Sequence, residues 1–326
     1  MDKRNIKVWI PAFAGMTIKT IIGAGVGLLA PLLLSGLLYA APAGTFAAPA
    51  PAKLQVKHLQ NQSTEPLAKV TVPFTFDIIG DNRTGTDIYA KLVRKMAADR
   101  PAFVINVGDT IWHSGNVAEW DQFVDNSSSL TMPYFIAPGN HEMWGKNGEK
   151  SFKEFVRQPG NELYYAFNVG NSLFVVLNTE ERGKEARIAG AQLEWLKKTL
   201  AGSKEKFKFV FMHRPMYPTK NYGEHFNDSL SKYPEERDLL QAIFEQYGVN
   251  AVFVGHEHLY LRKKIGGIIH VITGGGGAPL YVPANKGGVN HYIRARVTSD
   301  SVGFSVVGVD GNLIDSFTVS TKKASK

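Results

Sequence analysis

The chain has 326 residues, 44% hydrophobic and 20% charged, with 37 Lys+Arg against 29 Asp+Glu and a formal net charge of +8. This is the length and composition of one globular domain with appendages. No cysteine is present, which excludes disulfides, thiolate metal ligands and a lipid-modified amino-terminal cysteine. The positive charge is mild and spread out, with no arginine-rich run and no nucleic-acid motif. It is a solvated basic surface or a weak attraction for anionic substrates.

Residues 18–40 carry one charge, Lys19, and residues 21–40 carry none. Lys3, Arg4 and Lys7 precede them, and Ala40, Ala41 and Ala43 follow. This is the layout of a secretory signal peptide cleaved near Ala41-Pro42-Ala43. The apolar stretch is also long enough for an uncleaved membrane anchor. Either way the basic flank places the remainder outside the inner membrane, periplasmic or secreted. The expected organisation is a signal peptide or anchor (1–43), an Ala/Pro-rich and polar linker (44–69), one domain (70–320) and a basic tail (321–326).

Strands are expected at 71–79, 103–107, 133–137, 207–212 and 251–254, and a hairpin over 164–179 turning at Gly170-Asn171. Helices are expected at 86–98, with Ile88, Leu92, Val93 and Met96 inward, and at 117–124, 149–156, 192–200 and 234–247. Pro234 near the start and Gly248 just past the end frame the last of these. Residues 259–264, 268–272, 292–298, 303–309 and 313–319 read as further strands. Helices alternate with strands early and strands dominate late. That predicts an α/β fold of two packed mixed β-sheets flanked by helices, in a single domain. Trp120, Trp195 and Phe244 fall on helical faces and read as core. His58 and His270 read as structural. Gly274-Gly275-Gly276-Gly277 lacks the Lys and helix of a phosphate cradle and reads as a loop passing close to the site.

Five of the expected strands end on residues that can hold a cation. The breaks read Gly80-Asp81-Asn82-Arg83, Gly108-Asp109-Thr110, Pro138-Gly139-Asn140-His141-Glu142, His213-Arg214-Pro215 and Gly255-His256-Glu257-His258. Ligands bind at the carboxyl ends of strands in open α/β sheets. Two aspartates, an asparagine and three histidines delivered there form a mixed oxygen and nitrogen centre. Such a set suits two transition-metal ions sharing a carboxylate.

In its motifs and their order, residues 70–319 resemble the calcineurin-like metallophosphoesterase superfamily. His213-Arg214-Pro215-Met216-Tyr217 and Gly255-His256-Glu257-His258-Leu259-Tyr260 look most like its purple acid phosphatase branch. The resemblance implies a metallophosphoesterase-like sandwich and a catalytic domain over 70–320. It implies two divalent ions (Mn, Fe or Zn) bridged by Asp109. The second ion would be held by Asp109, Asn140, His213 and His256, and the first by Asp81, Asp109 and His258. A water or hydroxide between the ions would be the nucleophile, and His141 would protonate the leaving oxygen or hold a phosphoryl oxygen.

Two positions depart from that pattern. Arg83 stands where many members have a histidine ligand, and Trp112 where purple acid phosphatases have a tyrosine. An indole N–H cannot ligate. The first site is therefore one donor short and is expected to hold its ion more weakly, with no iron–phenolate colour. His113 either replaces the missing donor or is a loop histidine near the substrate. Arg83 either grips phosphate bidentately or pairs with Asp87 on the helix surface. His225, Asn227, Asp228, Asn290 and His291 line a substrate pocket or are surface polar residues. The expected activity is hydrolysis of phosphate esters, monoesters before diesters; the alternative is a non-catalytic binding or scaffold protein of the same fold. No protein partner is indicated.

Overall fold

Six strands form the first sheet of the computed structural model, which describes residues 59, 62–219 and 228–320. They are β1 (Phe74–Ile79), β2 (Val104–Asn106), β3 (Tyr134–Ile136), β10 (His291–Val297), β11 (Ser301–Gly308) and β12 (Leu313–Ser320). Their order is β12-β11-β10-β1-β2-β3. The β1, β2 and β3 strands are parallel, and the last three are antiparallel ribbons. The second sheet holds β4 (Tyr165–Val169), β5 (Ser172–Val176), β6 (Phe207–Met212), β7 (Ala251–Val254), β8 (Tyr260–Ile265) and β9 (Ile268–Thr273). Its order is β4-β5-β6-β7-β9-β8, parallel from β5 through β9 with antiparallel edges.

The faces between the sheets are filled with aromatic rings. Phe76 stacks on Phe103 at 5.2 Å and meets Phe174 edge-on at 5.0 Å, and Phe253 reaches Phe304 at 5.3 Å. Each fully buried ring contributes roughly 1.5–3 kcal/mol of transfer free energy. The outer face of the first sheet is covered by α1 (Thr86–Asp99), α2 (Val117–Ser127) and α4 (Gly148–Phe155), through Leu92, Met96, Trp120, Phe123 and Phe152. The outer face of the second is covered by α5 (Gly190–Gly202) and α6 (Pro234–Gln246), through Leu196, Leu200, Leu240 and Phe244. This is the two-sheet α/β sandwich the sequence predicts, and all described residues fall in one compact unit. Among the described residues no helix is long and apolar enough to cross a membrane.

Several boundaries differ. The second and third strands are shorter than expected, because their ends turn into the loops that carry Asp109 and Asn140. The second helix extends to Ser127, and Asn116 caps it by accepting from the amides of Ala118 (3.1 Å) and Glu119 (3.3 Å). Glu65–Lys69, inside the expected linker, is a 3-10 turn whose Leu67 is buried in the inter-sheet core. Residues 140–143, for which no element is expected from the sequence, form a one-turn helix, α3 (Asn140–Met143). The signal peptide or anchor, most of the linker, the basic tail, His58, His225 and Asn227 lie outside the described residues.

Candidate metal centre

The carboxyl ends of β1, β2 and β3 in one sheet and of β6 and β7 in the other meet at one edge of the sandwich. Asp81, Asp109 and His213 are fully buried there, and each presents a donor atom within 4.8 Å of the others. Asp81, Asp109 and His256 have φ of 57°, 58° and 72°. These are left-handed conformations that cost a non-glycine residue free energy and persist where tertiary contacts enforce them. Close approach also dictates the neighbouring glycines. A Cβ on Gly139 would stand 2.5 Å from Asp109 Oδ1, and one on Gly255 would stand 2.3 Å from Asp81 Oδ2.

Four donors converge at the second site. Asn140 Oδ1 lies 2.9 Å from His213 Nε2 and 3.0 Å from His256 Nδ1, the two nitrogens are 3.2 Å apart, and Asp109 Oδ1 is 3.3 Å from His213 Nε2. At the first site His258 Nε2 lies 3.5 Å from Asp81 Oδ1. Each histidine has its other nitrogen engaged. His213 Nδ1 donates to Val107 O at 2.9 Å, His258 Nδ1 donates to Pro279 O at 2.6 Å, and His256 Nε2 faces Asp228 Oδ2 at 3.3 Å. Such partners fix the tautomer and turn the free lone pair inward, as in metal-ligating histidines.

The electrostatics fit a cation. Burial pushes Asp81 up to about 8, assisted by the Asp109 charge. Burial acts the same way on Asp109, but His213, His141 and Arg83 outweigh it and hold Asp109 below the usual carboxylate range. Burial lowers His256 to about 4 and His258 to about 3, so both imidazoles are neutral and available as ligands. A pair of buried aspartates facing neutral imidazoles is a donor set suited to divalent transition metals.

His141 stands beside the donors without joining them. Its Nδ1 donates to Trp112 O at 2.7 Å, and its Nε2 is 3.8 Å from Asp109 Oδ2. Trp112 and Trp144, 41% and 70% exposed, flank the imidazole at 4.7 and 6.1 Å between ring centres. Arg83 is buried and turned to the site, with Nε 3.4 Å from Asp109 Oδ2 and its guanidinium 4.7 Å from the Trp112 ring centre. Its Nε and Nη1 lie outside hydrogen-bond geometry with any described partner. The helix-surface reading of Arg83 is thereby replaced by one facing the centre. His113 is not brought to the donors. Its exposed ring bonds Glu119 Oε1 at 2.7 Å, because Glu119 caps the loop by also accepting from the amides of Trp112 and His113.

Further residues around the donors hold the site in place. The Glu142 carboxylate accepts from the amides of Gly139 (2.9 Å), Asp109 (3.1 Å), Ile111 (3.2 Å) and Thr110, locking the Asp109 loop onto α3. Arg214 binds Glu180 through Nε at 2.8 Å and Nη2 at 2.7 Å, and holds Asp228. Asp228 in turn engages His256, so it is a support of the second site rather than a surface polar residue. Glu142 directly follows the Asn140 and His141 pair, which is the one local signal for it; Glu180 and Asp228 have none. His291 faces Thr273 Oγ1 at 3.0 Å between the two sheets and is structural. Beside Asn140 a cavity of about 550 Å³ is lined by Trp144, Lys146, Glu180, Arg182 and Arg214.

Residues 74–260 match the family model described as calcineurin-like phosphoesterase. The chain is 27% identical over 252 residues to Fe(3+)-Zn(2+) purple acid phosphatase 12 of Arabidopsis thaliana, covering 67% of this chain and 51% of that one. It is 26% identical over 219 residues to tartrate-resistant acid phosphatase type 5 of Homo sapiens, covering 57% and 64%. It is also 26% identical over 215 residues to probable inactive purple acid phosphatase 1 of Arabidopsis thaliana, covering 54% and 35%, so it spans about a third of that relative's length. Purple acid phosphatase PPD1 of yellow lupin (Lupinus luteus) shares the fold, with a TM-score of 0.64 and 21% identity over 77% of this chain and 54% of that one. The matched stretch contains every strand end that delivers Asp81, Asp109, Asn140, His213, His256 and His258, and the chain belongs to the calcineurin-like phosphoesterase family.

Proposed function

We propose that this protein is an exported metal-dependent phosphoesterase that hydrolyses phosphate esters, monoesters in preference to diesters. The observation that carries the reading is the pair of donor clusters meeting at Asp109, with His141 Nε2 3.8 Å from that carboxylate and outside both clusters. Asp81, Asp109 and His258 would hold one divalent ion, and Asp109, Asn140, His213 and His256 the other, with Mn, Fe or Zn suited to the donors. Bound there, two such ions lower the pKa of the attacking water and neutralise charge on the phosphoryl oxygens.

The chain's own groups supply the rest. Arg83 offers buried N–H groups to the phosphoryl oxygens, for which a guanidinium fork is matched. As water adds to phosphorus and the bond to the ester oxygen breaks, His141 acting as the imidazolium, with its Nδ1–H kept on Trp112 O, would give that oxygen its Nε2 proton and be left neutral. The Trp112 carbonyl holds the imidazole in place through Nδ1. Trp112 and Trp144 bound the leaving-group side, and the cavity beside Asn140 has room for the alcohol portion.

The test is turnover of nitrophenyl phosphate and bis(nitrophenyl) phosphate by protein loaded with Mn, Fe, Zn, Co or Ni, with metal counted in the same sample. Turnover that a chelator abolishes supports the reading. Several relatives are named probable inactive purple acid phosphatases, which favours a second reading, a binding or scaffold protein. Two bound ions with no turnover of either ester would establish that reading instead. Export is tested by cell fractionation: recovery of active, unprocessed soluble protein from the cytoplasm would contradict it.

A further inference from the structure

The first cluster has three donors in the motifs, yet a fourth donor, a phenol oxygen, stands at it. Tyr281 lies in the loop after β9, eight residues beyond the end of that strand at Thr273. Its ring stacks on the His258 imidazole with centres 4.1 Å apart and planes 14° from parallel. Its Oη is 3.3 Å from His258 Nε2, the lone pair that the Pro279 contact turns into the site. Arg83 hydrogen-bonds the same phenol, and both Asp81 and Asp109 lie within electrostatic range of it. At 3.3 Å from His258 Nε2, the phenol oxygen is near enough for both atoms to serve one ion if it were bound there.

We propose that Tyr281 is a ligand of the first metal ion, replacing the donor lost where Trp112 occupies the motif position. The inference rests on the two-ion reading above. In the chain as it stands Tyr281 Oη lies 3.3 Å from His258 Nε2, and Arg83 donates to the phenol oxygen. When a cation enters, His258 Nε2 and Tyr281 Oη both turn their lone pairs to it. The O–H bond breaks, its electron pair goes to the metal–oxygen bond, and one proton leaves to solvent, as ligand deprotonation on metal binding requires. Arg83 remains against the phenolate and offsets its charge. The position also explains Trp112: the indole occupies the place of a ligand while serving as the platform for Arg83.

The Gly-rich loop is what allows this. Gly274 passes so close that a Cβ there would stand 3.0 Å from Asp81 Oδ2 and 2.2 Å from Glu257 O. Gly276 is seated on Gly80 O, toward which its amide donates at 2.8 Å. The loop is thus fastened to the strand ends that carry Asp81 and His258, and it returns over the site with Tyr281 on it.

The experiment is metal binding to the whole protein and to Tyr281→Phe, which keeps the ring and its stack on His258. Equilibrium dialysis against Zn²⁺ counts the ions and their affinities. Loading with Fe(III) reads the visible charge-transfer absorption that only a phenolate ligand produces. The expected result is a visible band in the unmodified protein, absent in Tyr281→Phe and kept in Trp112→Phe. With it, one of the two Zn²⁺ ions in Tyr281→Phe should be weakened by at least about tenfold. Two equally tight Zn²⁺ ions in both proteins, or a band that survives Tyr281→Phe, overturns the assignment and leaves the two-ion reading standing. No bound metal in the unmodified protein would instead overturn the two-ion reading on which the assignment rests.

Discussion

Asp228 Oδ2 stands 3.3 Å from His256 Nε2, and this contact selects which His256 nitrogen faces the metal centre. Arg214 holds Asp228, and Glu180 holds Arg214, so a chain of ion pairs, buried at Glu180 and Arg214 and exposed at Asp228, ends on His256. Asp228→Ala should weaken the second ion by about 10–100-fold, the usual effect of removing the partner of a ligating histidine. Zn²⁺ dialysis measures it. Unchanged affinity would show that the imidazole is oriented by packing alone.

Asp109 is the carboxylate common to both clusters. Asp109→Ala should remove both ions and nearly all turnover, whereas Asn140→Ala should chiefly affect the second ion. Metal analysis of the two purified variants checks this. An Asp109→Ala protein that keeps two ions would contradict the shared-ligand role.

His141→Ala should keep both ions while turnover falls by roughly 10²–10⁴-fold, the range for general acid–base assistance. The loss should be smaller for nitrophenyl phosphate, whose leaving oxygen needs little protonation, than for an alkyl phosphate. Loss of metal in this variant would make His141 a ligand instead.

Arg83 carries buried N–H groups that phosphate can accept from. Arg83→Ala should raise KM by roughly 10–100-fold, since a charge-assisted hydrogen bond contributes about 1.5–3 kcal/mol. Arg83→Lys should recover only part of this, because an ammonium lacks the planar fork. An unchanged KM in both variants would place Arg83 in a purely structural role against Trp112.

His270 gives a pH signature far from the centre. It is buried in β9, with Nε2 3.0 Å from Gln241 Oε1 of α6 and the Tyr217 ring packed edge-on against it. Burial, then the Lys263 charge on β8, lowers it to about 4. The unfolded chain takes up this proton near pH 6.5 and the folded chain only near 4. The stabilisation is therefore complete above about pH 6.5 and lost as pH falls from there toward 4, a change of about 3 kcal/mol at most. Chemical denaturation at pH 7 and pH 4.5 should show a shallower acid loss in His270→Gln than in the unmodified protein. Equal losses would mean that the imidazole takes up its proton over the same pH range in the folded and unfolded chain.

The strands and the residues at their ends are local properties of the sequence. Apolar runs broken by Gly-Asp, Gly-Asn-His or Gly-His are local patterns, and a parallel sheet forces strand ends to one edge. Asp81, Asp109, Asn140, His213, His256 and His258 were legible for that reason, as was the two-sheet fold that gathers them. Tertiary structure decided what loops and long-range contacts control. Arg83 faces inward because Trp112 supplies a ring to rest on, and His113 faces outward because Glu119 holds it. Asp228 is held at the centre by Arg214, and Tyr281 reaches it from the loop that follows the Gly274 to Gly277 passage over the strand ends. Neither placement has a periodic or motif signal, since a loop's path is set by the surface it lies on and not by its own residues.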